Sequence, residues 1–224
     1  TLTGIQGFTT TADTLTVGSQ TSTPDLNSGG AINLTGTQNL TLLNGKIYTK
    51  NGLTLTSNNF TIGGQGSAPE LTTLQALTFN GGGTFHSGIF IGLESLTIKG
   101  EAGALTLNGG TYRTNGHLKI NSNNTLTLTK GQYEAVAGLT VQSLQNTLML
   151  NGGDSDLNLL TNGQLNIKGY NTYVYGGSLS GQNLTVMSQN IYLEGGILSG
   201  QSLTVTGHNV SLHKGVFCPS PRKF

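Results

Sequence analysis

The chain has 224 residues, of which 35 are Gly, 4 Pro and none Trp, and only 8% are charged. With no stretch of Ala, Glu, Lys and Leu to build a long helix, this composition excludes a globular helical domain. Ten Lys and Arg against nine Asp and Glu leave only Arg222-Lys223 as a basic cluster, which argues against nucleic-acid binding, and no apolar run approaches the ~18 residues of a membrane span.

In chain order, residues 1–30 fit the later pattern poorly and read as an N-terminal coil or cap, with Leu15-Thr-Val17 a fragment of an earlier coil. From residue 31 to 217 short apolar alternations recur. First strands begin near Ile32, Leu53, Leu71, Leu96, Leu118 and Leu139. Second strands run into Asn and Gly over 40–45, 77–82, 105–110 and 148–153, and third strands supply Tyr48, Phe85, Tyr112 and Tyr133. Leu77-Thr-Phe79 would also serve as a first strand, but the following Asn80-Gly81-Gly82 favours the second.

The pattern is clearest where Leu165-Asn-Ile167, Leu184-Thr-Val186 and Leu203-Thr-Val205 recur every 19 residues. Period-two alternation cornered by Asn and Gly describes one coil of a right-handed parallel β-helix. The expectation is an all-β solenoid of about nine or ten coils, three short strands per coil, forming a rod of ~45 Å at ~4.8 Å per coil. Residues 218–224 form a C-terminal tail. Opening on Thr1 and losing the repeat after Phe217, the chain reads as an excised or processed piece.

The aligned Leu columns are core. Asn59, Asn124, Asn171, Asn190 and Asn209 precede the second strand, where stacked side-chain amides can bond to one another and to their own turns as a structural ladder. Cys218 has no internal disulfide partner and is either an exposed thiol, an intermolecular cross-link or inert. The Asn-x-Thr/Ser sequons are background in so Asn- and Thr-rich a chain.

The units Gly176-Gly-Ser-Leu-Ser-Gly-Gln-Asn-Leu-Thr-Val186 and Gly195-Gly-Ile-Leu-Ser-Gly-Gln-Ser-Leu-Thr-Val205 resemble the repeats of filamentous-haemagglutinin-like exoproteins. The resemblance covers roughly residues 30–217 and rests on repeat style, which other secreted β-helices share. It implies a secreted or bacterial cell-surface protein, exported through an outer-membrane secretion partner and acting as an adhesin or a stalk. A host or bacterial surface glycan or protein would then be the ligand. The Asn-Pro-rich motifs of that family's secretion domain are absent, so the chain would be a repeat segment.

Parallel β-helices also carry polysaccharide-cleaving sites built from clustered carboxylates. The outward position of the third strand aligns His86, Arg113, Glu134 and Asp156, and neighbours in one column lie about 5 Å apart, a separation that suits a retaining pair with Glu134 as acid/base and Asp156 as nucleophile. The alternative is a solvated ladder in which Arg113 pairs with Glu134 for less than about 1 kcal/mol. Tyr175, Glu194 and His213 form a second outward column, read as decoration. Gly152-Gly-Asp-Ser-Asp156 lacks the glycine pattern of a calcium repeat and reads as a surface loop, and no metal or cofactor motif is found. Outward Thr54, Thr97, Thr140, Thr185 and Thr204, interrupted by Lys119 and Asn166, form a threonine column.

These readings favour a non-enzymatic extracellular rod for adhesion, display or reach, with binding on outward faces or on the loops at 64–70 and 154–164. The alternatives are a polysaccharide lyase or hydrolase, and a self-assembling matrix or filament protein.

Overall fold

The computed structural model describes residues 2–4, 6–19, 21–64, 66–101 and 103–218. Among them there is no helix, and parallel strands stack as a β-solenoid of about 10 turns. Each coil has three faces, and each strand pairs in register with the equivalent strand one coil away.

Register follows from the period-two alternation. On the first face Leu53 pairs with Leu77, and Leu77 with Leu96. The series continues through Leu118, Leu139, Leu165 and Leu184, all buried. Like stacks on like at the inter-strand spacing, so every coil covers the apolar stripe of the one below, at roughly 1.5–3 kcal/mol per buried aliphatic side chain. The third face changes from Ile47 and Leu71 to aromatic residues in the middle of the rod. Phe90 and Tyr112 stack with centroids 4.9 Å apart, and Tyr112 and Tyr133 at 4.6 Å with planes 4° apart. Both phenols are buried and donate to carbonyls three residues upstream, Tyr112 to Gly109 and Tyr133 to Lys130, each at 3.1 Å.

Buried hydroxyls set two of the three corners. Where the third strand turns into the next coil, the hydroxyls of Ser28, Thr49, Thr73, Thr114 and Thr161 accept the N–H two residues on, at 3.1–3.2 Å. Thr49 and Thr73 also donate to the carbonyls of Gly30 and Asn51 in the coil below. Each hydroxyl thus closes its own turn and ties it to its neighbour. Between the first and second strands the corner column holds only small residues: Gly36 pairs with Ser57, Gly100 with Ser122, and Ser122 with Ser143. A Cβ on Gly36 would lie 2.1 Å from the carbonyl oxygen of Asn39, which excludes larger side chains there.

Three segments depart from the sequence reading or complete it. Leu71 lies on the third face, paired with Ile47 and Phe90; Leu77 opens a first strand; and Phe85 belongs to the second face, paired with Ile62 and Leu107. The cause is that residues 63–69 lengthen one corner without adding a strand, while Asn80-Gly81-Gly82 makes the tight first-to-second corner inside Ala76–Phe85. Phe8–Val17 lies in parallel register against Ile32–Leu42, so Leu15-Thr-Val17 is the second strand of a coil. The strand Thr147–Thr161 carries register shifts on either side of Gly153, and its third-face part re-enters register as Leu157 pairs with Gly131. Arg222 and Lys223 lie outside the described residues.

Candidate functional site

The third face brings Arg113 and Glu134 together but not the rest of the expected column. They are register partners, with Nε–Oε2 at 2.8 Å and Nη2 donating to Oε1 at 3.4 Å. Their column neighbours are Ile91 below and Leu160 above. His86 instead follows Phe85 at the end of the second face, level with Asn108, whose N–H donates to the Phe85 carbonyl. Asp156 sits in the inserted bulge one residue before the strand re-enters register, and pairs with Lys130 at 3.1 Å. The proposed Glu134 and Asp156 catalytic pair is therefore replaced by two separate ion pairs between coils, each half-exposed and worth about 1 kcal/mol or less.

Arg113 and Glu134 lie in a groove of about 410 Å³ whose walls include Ile91, Leu93, Val136 and Leu160. Leu93 and Val136 are exposed and occupy the next outward column, each N–H bonded to a Thr carbonyl of the coil below. Chemically this is an apolar trough bridged by one guanidinium–carboxylate pair.

The asparagine ladder exists in two separate stretches. Asn190 Nδ2 donates to Asn171 Oδ1 and Asn209 Nδ2 to Asn190 Oδ1, both at 2.7 Å. Asn59 donates to Asn39 at 3.3 Å. Between them the column passes through Gly82 above Asn59 and Thr147 below Asn171. Asn124 lies outside it, because Leu126 begins the paired strand and Thr125 takes the ladder level. Asn124 instead donates its N–H to Ser122 Oγ and accepts from Ser143 Oγ with its carbonyl.

The outward threonines are more extensive than the sequence reading allowed. On the first face Thr54, Thr78 and Thr97 are successive register partners, with Lys119 and Asn166 interrupting further on. On the second face Thr16, Thr41, Thr61, Thr84, Thr106 and Thr127 stack in one column. That column then changes character to Met149, Tyr173, Tyr192 and Ser211. Tyr173 and Tyr192 stack with centroids 4.9 Å apart and planes at 5°, and Tyr175 lies 6.1 Å from Tyr173.

Beside these rings run Tyr175, Glu194 and His213, in register as their alignment implied. A groove of about 660 Å³ follows, lined by Tyr175, Glu194, Ile197 and Lys214 and floored by Gly176, Gly177, Gly195 and Gly196. The signal for this patch was in the sequence: Tyr173 and Tyr192 stand one 19-residue repeat apart.

Elsewhere, the loop at 64–70 ends in Glu70, which pairs with Lys46 at 2.9 Å and holds that ammonium above its usual pKa by hydrogen bonding and charge. Gln65 lies outside the described residues. No group of three or more His, Cys, Asp or Glu among the described residues could hold a metal ion. Cys218 is an exposed free thiol in register with Ser199. No match to this chain was found among protein-family models, characterised proteins or solved structures.

Proposed function

We propose that this chain is a segment of an extracellular or cell-surface rod that works by reach and display, presenting outward side chains for adhesion. The observation that carries this reading is the register of the outward columns. Polar side chains, threonine above all, repeat coil after coil on two faces, while the larger and chemically varied groups gather in two shallow grooves. A solenoid lengthens without thickening its core, so its surface offers many copies of a weak contact along one line. The repeat style of residues 176–205, which resembles that of filamentous-haemagglutinin-like exoproteins, supports the same reading, with an outer-membrane secretion partner and a surface glycan or protein as the ligand.

The test is adherence. Beads coated with the purified chain should bind mammalian or bacterial cell surfaces saturably, and soluble chain should compete. Beads that adhere no better than albumin-coated ones across a range of surfaces would contradict the reading.

A further inference from the structure

The second face changes chemistry within its own column. Below, each coil places a threonine there; above Met149 it places Tyr173 and Tyr192, then Ser211. Tyr192 is 40% exposed, although nothing in the fold requires a ring at a position that threonine fills in six other coils. Ser211 above it is too short to cover the ring, so one aromatic face stays open. Two residues along the same strand, on the same side of the sheet, stands the exposed Glu194, with His213 in the next coil.

The groove alongside has a volume of about 660 Å³, inside the ~300–1,000 Å³ range of ligand pockets. Its floor is formed by Gly176, Gly177, Gly195 and Gly196, and at Gly176 a side chain is excluded, since a Cβ there would lie 1.8 Å from the Gly153 carbonyl oxygen. Lys214 lines the groove from the next coil, with φ at 51° in the left-handed region.

We propose that Tyr192, Tyr175 and Glu194 form a binding site for a neutral oligosaccharide, a proposal that rests on the adhesive-rod reading and names its ligand class. A pyranose presents an apolar C–H face, which suits an open tyrosine ring, and a rim of hydroxyls, which suits a carboxylate, an imidazole and exposed peptide groups. The ring supplies contact area at low entropic cost. A purely apolar ligand would leave Glu194 and Lys214 desolvated without partners, and a charged one of either sign would meet a like charge in Glu194 or Lys214. Glu194 accepts from sugar hydroxyls, and the glycine floor lets the sugar approach the main chain.

The experiment titrates the chain with gluco-, galacto- and N-acetylglucosamine-type β-linked tetrasaccharides. Saturation-transfer NMR and intrinsic tyrosine fluorescence report binding, the latter free of interference because there is no Trp among the 224 residues. At least one tetrasaccharide should bind, and Tyr192→Ala and Glu194→Gln should each weaken it about tenfold or more, while Thr106→Ala on the same face should not. Tyr192→Ser, which copies Ser211, serves if the alanine variant unfolds. If beads adhere to cells but no tetrasaccharide binds, or if binding ignores both Tyr192 and Glu194 substitutions, this site is refuted and the rod reading stands. Tetrasaccharide binding without any cell adherence would refute the rod reading alone.

Discussion

Removing the Asn190 side chain should cost far more than removing that of Asn183. Asn190 sits in the middle of the upper ladder, giving one hydrogen bond to Asn171 and accepting one from Asn209, both at 2.7 Å. Asn190→Ala deletes both and strands an acceptor on Asn171 and a donor on Asn209. At about 1 kcal/mol for each lost bond, reduced where water can reach the exposed end, the loss is about 1–2 kcal/mol. Asn183 makes a comparable 2.7 Å contact with Ser202 Oγ, but on an exposed corner where water replaces it, so Asn183→Ala should cost about 0.5 kcal/mol or less. In a chain of this size the Asn190 effect corresponds to a melting shift of about 2–8 °C. Urea unfolding, with amide exchange resolving the last coils, measures both. The ladder also predicts non-additivity: once Asn190 is alanine, Asn209→Ala should cost little more, because its bond is already gone. Equal losses for Asn190→Ala and Asn183→Ala, or strict additivity of the 190 and 209 substitutions, would refute the ladder.

Thr172 interrupts the apolar column between Leu148 and Ile191, fully buried, with an Oγ1 that finds no partner among the described residues. Thr172→Val keeps the shape and removes the unpaired hydroxyl, so thermal unfolding should rise by about 1 kcal/mol; a loss of stability would refute that placement. Thr49→Val should act in the opposite direction, costing about 1–3 kcal/mol in urea unfolding, because the Asn51 N–H and the Gly30 carbonyl lose their shared partner; a neutral result would contradict the corner ladder. Burial pushes the Tyr112 phenol up and holds that of Tyr133 well above its ordinary value, the neighbouring Tyr112 adding to the effect. In the unfolded chain both ionise near pH 10, so their contribution is intact below about pH 10 and is lost as pH rises towards the folded-state values. Their phenolate absorbance should therefore appear only as the β circular dichroism disappears, and Tyr112→Phe should move alkaline unfolding to higher pH; ionisation of both in the intact fold would contradict the buried stack.

The parts of the fold that were legible in the sequence were those in which coils have equal length. Leu165, Leu184 and Leu203 repeat every 19 residues, and the structure pairs them in order. Where a corner takes an insertion, turn chemistry misleads: Asn80-Gly81-Gly82 has the composition of a second-to-third corner but makes the tighter one before it, and the shift carried Leu71, Leu77 and Phe85 onto wrong faces. The same difficulty placed Asp156 beside Glu134, whereas the bulge around Gly153 leaves Asp156 paired to Lys130. The buried hydroxyl ladders were hidden for another reason. Thr occurs both on the outward faces and at the corners, so only the coil register separates Thr49, which closes a turn, from Thr54, which faces outward. Tyr173 and Tyr192 were visible as a repeat, but their significance depends on the threonines that precede them in the column, and this is evident only once the register is known.

The decisive measurement is whether the chain cleaves polysaccharide or only holds surfaces. A broad panel of acidic and neutral polysaccharides is incubated with the wild type and with Glu134→Gln, and new reducing ends and unsaturated products are followed alongside stability. The rod account predicts no turnover by the wild type, and for Glu134→Gln a stability change of less than about 1 kcal/mol from the half-exposed Arg113 pair. Clear turnover by the wild type, lost in Glu134→Gln with the fold intact, would contradict it, because an amide keeps the shape of the carboxylate and loses the proton transfer.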